Sequence, residues 1–258
     1  MNAAKATQEA LIDLYARELR LPGLRKAYRE LARDAAQSGQ DPLAYLAACL
    51  TAEVESRRQS RLQRRLHLAR FPALKTLDSF DFTALPDLPK ARVLQLADAS
   101  FVKDRENVIC LGPTGTGKTH TAIALGVAAI HAGWRVRFTT AVALGQELLQ
   151  AHNEARLPKA LKGWDRFDLV ILDELGYLGL GPAGPLLFQF CAHRYERGSL
   201  LITTNLEFSR WVEVFGDAAL TSALLDRLTH RSHVLLFNGE SYRFRESQQR
   251  LRKEGVSH

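Results

Sequence analysis

The sequence predicts an α/β fold in which a central parallel sheet is flanked by helices and preceded by a small all-α N-terminal domain. From residue 107 onward, short apolar runs of strand length alternate with helical stretches, as is typical of parallel sheets. Before residue 75, apolar residues recur at helical spacing instead. We therefore expect a helical domain over residues 1–75 and an α/β domain over residues 76–258.

The N-terminal domain is expected to contain three helices. The first covers residues 7–19 and the second covers residues 24–37, with Pro22-Gly23 between them. The third is long: Asp41-Pro42 provides an N-cap and a first helical residue, and the helix continues to about Arg70. We expect the apolar faces of these helices to pack on one another as a small bundle.

Basic charge is concentrated in this domain. Residues 1–75 contain 14 Lys/Arg and 8 Asp/Glu, a net charge of +6, whereas the rest of the chain has a net charge of +1. No acidic residue lies between Glu55 and Asp78, although solvated helix faces normally mix both signs. This excess favours contact with nucleic acid or another acidic partner. The candidate contact residues are Arg57, Arg58, Arg61, Arg64 and Arg65.

A glycine-rich loop opens the α/β domain. An apolar strand over residues 107–111 and a helix over residues 119–132 flank an octapeptide that satisfies G-x-x-x-x-G-K-[ST]. Its glycines let backbone N–H groups turn toward a triphosphate, and the helix N-terminus adds positive potential. Lys118 is expected at the β- and γ-phosphates and Thr119 at Mg²⁺. The candidate nucleotide-binding residues are Gly112, Pro113, Thr114, Gly115, Thr116, Gly117, Lys118 and Thr119.

Two further strands end in polar residues. The apolar run of residues 167–172 leads into Asp173 and Glu174, at the strand end where open α/β sheets bind ligands. Asp173 is expected to hold Mg²⁺, and Glu174 to polarise the attacking water. The strand over residues 199–204 leads into Asn205, which either contacts the γ-phosphate or lytic water, or merely turns the chain.

Two more segments carry candidate residues. Between the strand over residues 135–139 and the strand that leads into Asp173, we expect a helix over 141–154 and a short basic element over 155–163. Farther on, Arg227 lies in an expected helix over residues 219–228. It is either an arginine finger for the nucleotide of a neighbouring subunit or a surface arginine paired with Asp226.

Together these motifs resemble an AAA+ ATPase. More closely, residues 112–120, 172–177, 202–205 and 231–234 resemble the IstB-type transposition helper ATPases of insertion sequences, which are similar to DnaC-type helicase loaders. The resemblance covers nearly the whole chain, including residues 21–25.

The resemblance implies ATP and Mg²⁺ as cofactors, and extends the nucleotide-binding segment to His120. It also implies a homo-oligomer on duplex DNA, a cognate transposase as partner, and a DNA contact through Arg156, Lys159 and Lys162. No room remains for a C-terminal lid domain, so Arg243 or Arg245 is a candidate to replace the lid arginine. For Phe80 and Phe82, core packing is favoured over contact with the adenine base of the nucleotide.

Three alternatives stay open. A DnaC-type helicase loader would carry the same ATPase motifs, but the arginine-rich helix favours duplex DNA over single strands. A metabolite kinase would use the same loop, but the Asp173-Glu174 pair, Asn205 and the basic N-terminal domain argue against it. A nucleotide-gated binding protein without turnover would have no use for Glu174.

Composition excludes other classes. A hydrophobic content of 46% supports a sizeable core. Cys49, Cys110 and Cys191 are far apart and form no C-x-x-C, so neither a zinc site nor a disulfide framework is expected. No apolar run approaches membrane-spanning length, and the start of the chain lacks a signal-peptide apolar region. We therefore expect a cytoplasmic protein.

Overall fold

A computed structural model describes residues 3–177 and 179–242. The chain divides into two compact units, residues 1–64 and residues 65–258. The first unit contains helices α1 (Ala3–Glu18) and α2 (Pro22–Ser38) and most of α3 (Pro42–Ala69), whose residues 65–69 belong to the second unit.

A buried carboxylate organises the first unit. Leu21, at the N-cap of α2, offers no capping side chain, so the first N–H groups of this helix need another acceptor. Glu53 of α3 supplies it: its Oε2 accepts the N–H groups of Gly23 at 2.7 Å and Leu24 at 3.1 Å. Only glycine fits at position 23, because a Cβ there would lie 2.6 Å from the carbonyl oxygen of Ala52.

The prediction that the apolar face of α1 packs against the other helices is wrong. The side chains of this apolar stripe are exposed, at 47% for Leu11, 57% for Leu14, 51% for Tyr15 and 65% for Leu19. Helix α1 instead packs on α2 through the face that holds Glu9, Asp13 and Ala16. There the two acids accept hydrogen bonds from Arg29, and the Tyr28 hydroxyl donates to the Glu9 carbonyl. Polar pairing, rather than the apolar stripe, selects the contact face.

The second unit is built on a five-stranded parallel sheet. Its strands are β1 (Asn107–Leu111), β2 (Val136–Thr140), β3 (Leu169–Leu175), β4 (Ser199–Thr204) and β5 (Ser232–Leu236), in the order β2-β3-β4-β1-β5. The three central strands are nearly continuous apolar runs because helices cover both faces of a parallel sheet.

The helices of this unit follow the chain order of an α/β protein. They are α4 (Lys90–Leu96), α5 (Ser100–Lys103), α6 (Lys118–His131), α7 (Ala141–Asn153), α8 (Leu157–Trp164), α9 (Gly184–Arg194), α10 (Val212–Phe215) and α11 (Ala218–His230). The main apolar core lies between β3 and β4 and the helices α7, α9 and α11. No helix among the described residues is both long enough and apolar enough to span a membrane.

The α/β fold class is confirmed, with one local difference. Residues 76–105, for which the sequence analysis named no helix, contain α4 and α5, which bury Val93, Leu96, Phe101 and Val102. Helices this short span too few turns for their apolar spacing to stand out in the sequence. The prediction that no lid domain follows β5 and the candidates Arg243 and Arg245 lie outside the described residues.

Glu53 gives a testable link between pH and stability. Burial raises the pKa of its carboxyl, but the Arg57 guanidinium and the N–H groups of Leu24 and Gly23 lower it more, so the net pKa lies below the ordinary value. Its stabilising contribution is therefore present above the unfolded pKa of about 4.3 and is lost as the pH falls through the folded pKa.

We predict that Glu53→Gln lowers the free energy of unfolding at pH 7 by about 1–3 kcal/mol, because the charge-assisted hydrogen bonds weaken. The deficit relative to the wild-type protein should shrink below about pH 4. Denaturant unfolding followed by circular dichroism measures both effects. Glu55→Gln, at an exposed site on the same helix, is the matched control. Equal losses in the two variants, or a deficit that does not change with pH, would contradict this account.

Candidate nucleotide-binding site

The loop between β1 and α6 is shaped to surround phosphate. Gly115 and Gly117 have φ values of 82° and 91°, in the left-handed region that side chains disfavour. A Cβ at Gly117 would lie 2.7 Å from the ring of Phe80, and one at Gly115 would lie 2.1 Å from Oγ of Ser241. The glycines of the predicted P-loop are thus required both by backbone conformation and by close neighbours.

Lys118, the first residue of α6, turns its side chain back toward this loop. Its side chain is buried, and its Nζ donates hydrogen bonds to the carbonyl oxygens of Gly112 and Pro113, each at 2.7 Å. Thr116 closes the same loop through a hydrogen bond from its hydroxyl to the carbonyl of Pro113 at 2.8 Å. A buried ammonium needs acceptors, and phosphate oxygens are stronger ones than carbonyls, so the loop suits a triphosphate.

The two predicted magnesium ligands are brought together. Thr119 Oγ1 donates to the carboxylate of Asp173, at 2.9 Å from Oδ1 and 3.2 Å from Oδ2. Asp173 is only 4% exposed and lies two residues before the end of β3. A hydroxyl and a carboxylate are the hard oxygen donors that Mg²⁺ prefers, so this donor set fits the ion.

The end of β3 contains an irregularity that turns Glu174 outward. Leu172 pairs with Ile202 and Leu175 pairs with Thr204, so two residues of β3 face a single residue of β4. Glu174 has a φ of 61° and an exposed side chain, whereas the residues on either side of it are buried. Bulges of this kind are common beside active sites, where they redirect a side chain.

Thr203 of β4 faces this irregularity, and the sequence analysis did not select it. Its Oγ1 donates to Asp173 Oδ1 at 2.5 Å and accepts the N–H of Glu174 at 3.0 Å. The available signal was weak: a pair of threonines, Thr203 and Thr204, closes an otherwise apolar strand just before Asn205.

A cavity of about 470 Å³ adjoins the loop, within the size range of small-molecule sites. Residues 114–120 and Glu174 line it, together with Phe80 and Tyr177. The expectation of simple core packing for Phe80 is therefore incomplete, because its half-buried ring forms part of the wall. The predicted His120 sits beside it, with ring centroids 5.2 Å apart and its Nε2 2.9 Å from the carbonyl oxygen of Thr76.

Asn205 and Arg227 lie at opposite ends of the strands. Asn205 is at the carboxyl ends, and Arg227 is near the amino ends. Asn205 is exposed and directly follows Thr204, whose carbonyl accepts the N–H of Gly112 at 3.2 Å, so it stands beside the P-loop. Arg227 precedes Leu228, whose carbonyl accepts from the side chain of Asn107 at the start of β1. The four residue steps from Asn107 to Leu111, at roughly 3.3 Å each, place the start of β1 about 13 Å from the end that leads into the P-loop.

Arg227 faces a second cavity, of about 250 Å³. Its lining includes Arg105, Arg194 and Arg231, so the cavity is strongly basic. Arg194 is fully buried, and burial lowers its pKa to about 10. Within the described parts of the chain, no ion pair joins Arg227 to Asp226, which the alternative interpretation requires.

The candidate DNA-contacting residues of α3 differ in their surroundings. Arg57 is held by Glu53, at 2.6 Å from Nε to Oε1, and by the carbonyl of Arg20 at 2.9 Å. Arg58 lies 3.8 Å from Glu55. The other candidates from this helix are Arg61 and Arg64, which are exposed, and Arg65, which is half-buried.

The basic element after β2 is the helix α8. Arg156 and Lys159 line an open groove of about 350 Å³, together with Arg137 of β2 and Arg166 after α8. Lys162 is exposed on the same helix. Arg156 pairs with Glu154. The structure therefore adds Arg137 and Arg166 to the basic residues that the sequence predicted for this surface.

The arginines of this groove repel one another. Burial lowers the pKa of Arg137, and the positive charges of Arg70 and Arg166 lower it further, against the opposite effect of Glu147. The guanidinium groups of Arg137 and Arg166 lie 5.9 Å and 4.8 Å from the centre of the Phe167 ring. A groove in which like charges converge favours an anionic ligand.

The loop around Lys118, the carboxylates at the end of β3 and the strand order of the sheet define a P-loop nucleotide-binding protein with an AAA+-type fold. The family model described as IstB-like ATP binding protein matches residues 14–250. The chain therefore belongs to the IstB-like ATP-binding proteins, and the resemblance inferred from its motifs is confirmed.

Individual relatives agree with this assignment. The chain is 38% identical to the ATP-binding protein of insertion sequence IS5376 from Geobacillus stearothermophilus over 244 residues, covering 94% of this chain and 96% of that protein. It is 40% identical to the ATP-binding protein of insertion sequence IS21 from Pseudomonas aeruginosa over 246 residues, covering 95% and 91%. A solved DnaC helicase loader shares the fold, with a TM-score of 0.52 and 22% identity over 63% of this chain and 96% of that chain.

We predict that Glu174→Gln binds ATP with nearly wild-type affinity but hydrolyses it at least about 100-fold more slowly. The amide keeps the shape of the side chain, but it cannot accept a proton from water, and a general base contributes about 10²–10⁴-fold to a rate. A fluorescent-nucleotide titration and a phosphate-release assay measure the two properties. Glu207→Gln, an equal charge change at an exposed site, is the control. Wild-type turnover in Glu174→Gln would remove Glu174 from the role of base.

Proposed function

We propose that this protein is a Mg²⁺-dependent ATP hydrolase that assembles as a homo-oligomer on duplex DNA and assists a cognate transposase in selecting or remodelling its target. The observation that carries the proposal is that Thr119 is hydrogen-bonded to Asp173 and that Glu174, the next residue, turns outward at the same end of the sheet. The names of the relatives, which are ATP-binding proteins of insertion sequences, support the context of transposition.

In this proposal, each polar group at the P-loop has a defined task. Lys118 exchanges its two carbonyl acceptors for phosphate oxygens, and Thr119 and Asp173 hold the metal ion. Bound Mg²⁺ would neutralise charge that develops on the β- and γ-phosphates. Glu174 accepts a proton from the attacking water, and Asn205, beside the P-loop, orients that water or the γ-phosphate.

Arg227 acts on the nucleotide of a neighbouring subunit in this proposal. Its place at the far edge of the sheet separates it from the P-loop of its own chain. An arginine that stabilises transition-state charge from another subunit makes turnover depend on assembly. The basic surroundings of Arg227 suit an approach of the negatively charged phosphates.

The groove beside α8 and the exposed arginines of α3 are proposed to contact DNA phosphates. In the described structure, Glu147 accepts from the indole of Trp164 and Glu154 pairs with Arg156, so the acids near the groove are already engaged. The remaining cations of the groove then have charge available for phosphate, and such contacts carry little sequence preference.

A salt series tests the proposed DNA contacts. Each phosphate contact that is lost should flatten the slope of log affinity against log salt by about 0.9 on duplex DNA. We predict that replacing Arg61 and Arg64 by Gln lowers affinity and slope with or without nucleotide. Replacing Lys159 and Lys162 by Gln should lower them mainly with a non-hydrolysable ATP analogue, because assembly brings many such helices onto one duplex. Arg156 is left in place because Glu154 pairs with it.

Fluorescence anisotropy provides the measurement, and Arg210→Gln is the control. Arg210 is exposed but paired with Glu213 at 2.8 Å, so its loss should leave the slope unchanged. An unchanged slope in the first variant would assign the charge of α3 to a protein partner. An unchanged slope in the second variant in both nucleotide states would exclude α8 from DNA binding. Tighter binding to single strands than to duplex would favour a helicase loader.

A further inference from the structure

The hydroxyl of Thr203 occupies a central position in the proposed ATP site. The residue is 1% exposed. Its Oγ1 contacts both the carboxylate of Asp173, the proposed metal ligand, and the backbone N–H of Glu174, the proposed general base. A hydroxyl has one proton to donate and lone pairs to accept. The proton of Thr203 goes to Asp173 Oδ1, and its lone pair accepts the N–H of Glu174, so both capacities are used.

This hydroxyl replaces a contact that the sheet cannot make. At a bulge, one residue has no partner in the ladder of the neighbouring strand, and a buried N–H without an acceptor is costly. The N–H of Glu174 has no partner in this ladder, since Leu172 and Leu175 take the flanking pairings with β4. Thr203 Oγ1 satisfies it at 3.0 Å from a side chain rather than a carbonyl.

The same contact maintains an uncommon backbone conformation. Glu174 has a φ of 61°, which residues other than glycine rarely adopt and which persists only where the surroundings hold it in place. That conformation turns the carboxylate of Glu174 out of the sheet and into the wall of the nucleotide cavity. Releasing its N–H would allow the strand to relax toward the regular pleat, in which successive side chains alternate between the two faces.

Asp173 also depends on Thr203. It accepts from two hydroxyls, and one of them, Thr119, is itself a proposed metal ligand. Thr203 is the partner that approaches from the neighbouring strand and not from the phosphate-binding loop. It therefore orients the carboxylate for the ion. Partners of this kind, behind a metal ligand, affect metal affinity or activity by about 10–100-fold when they are removed.

We infer that Thr203 is a positioning residue that sets both the metal ligand Asp173 and the base Glu174 for ATP hydrolysis. The inference rests on the proposed function. It assigns to one buried hydroxyl the coupling between the site that holds Mg²⁺ and the site that activates water.

The test compares three variants. Thr203→Val keeps the shape but loses the hydroxyl, and Thr203→Ser keeps the hydroxyl. Thr221→Val is the matched control, because Thr221 is also buried and its hydroxyl makes one hydrogen bond, to the carbonyl of Asp217 at 2.6 Å, in α11. The affinity for a fluorescent ATP analogue is measured with EDTA and across a Mg²⁺ titration, and turnover is measured separately. Circular dichroism confirms folding; should Thr203→Val not fold, Thr203→Cys, a weaker donor of similar size, takes its place.

We expect Thr203→Val to bind metal-free nucleotide like the wild-type protein, but to need about 10-fold more Mg²⁺ for half-saturation and to turn over at least about 10-fold more slowly. Thr203→Ser should restore both properties, and Thr221→Val should leave both unchanged. A wild-type Mg²⁺ titration in Thr203→Val would overturn the inference, as would equal defects in the Ser and Val variants. An absence of turnover in the wild-type protein would instead refute the proposed function, while the Mg²⁺ titration would still decide the role of Thr203.

Discussion

The buried carboxylate of Asp173 is the interaction on which the rest of the site depends. It is the point where three separate segments meet: the helix that follows the P-loop, through Thr119; β3, to which it belongs; and β4, through Thr203. A carboxylate that is 4% exposed is stable only if hydrogen bonds or a cation compensate its charge. The two hydroxyls supply that compensation in the protein, and Mg²⁺ would add to it in the proposed complex with ATP.

The sheet separates the two halves of the proposed reaction. Its carboxyl edge holds Lys118, Asp173 and Glu174, whereas Arg227 lies at the opposite edge, in a basic cavity. In the proposed mechanism, a single subunit binds the nucleotide but lacks the last cation of the site. In the proposed assembly, the edge of one subunit supplies that cation to the next, so DNA binding that promotes assembly would also promote hydrolysis.

The sequence predicts those parts of the molecule where one local pattern determines the structure. The strand over residues 107–111 and the glycine-rich loop that leads from it into α6 were predicted correctly, because an apolar run and a glycine pattern are local signals. Pairings across the fold leave no such signal. The positive charge of Arg57 marked it as a DNA contact, but only the fold shows that Glu53 holds it.

Two other features required the fold for the same reason. The exposed stripe of α1 has ideal helical spacing, yet the acids Glu9 and Asp13 select the contact face through Arg29. Thr203 could not be distinguished from Thr204 by sequence, because their difference is one of direction. The first faces the carboxylate of Asp173, and the second donates to the carbonyl of Leu175.

A subunit-mixing experiment tests most directly whether the nucleotide site is completed by a neighbouring subunit on DNA. Arg227→Ala keeps the loop that binds ATP but loses the cation, and Lys118→Ala loses ATP binding but keeps the arginine. Each variant alone should be inactive with duplex DNA. A mixture should recover part of the wild-type rate, since some interfaces would join an intact loop to an intact arginine. Absence of recovery at every ratio, in mixtures shown to co-assemble, would contradict the account, as would full activity of Arg227→Ala alone.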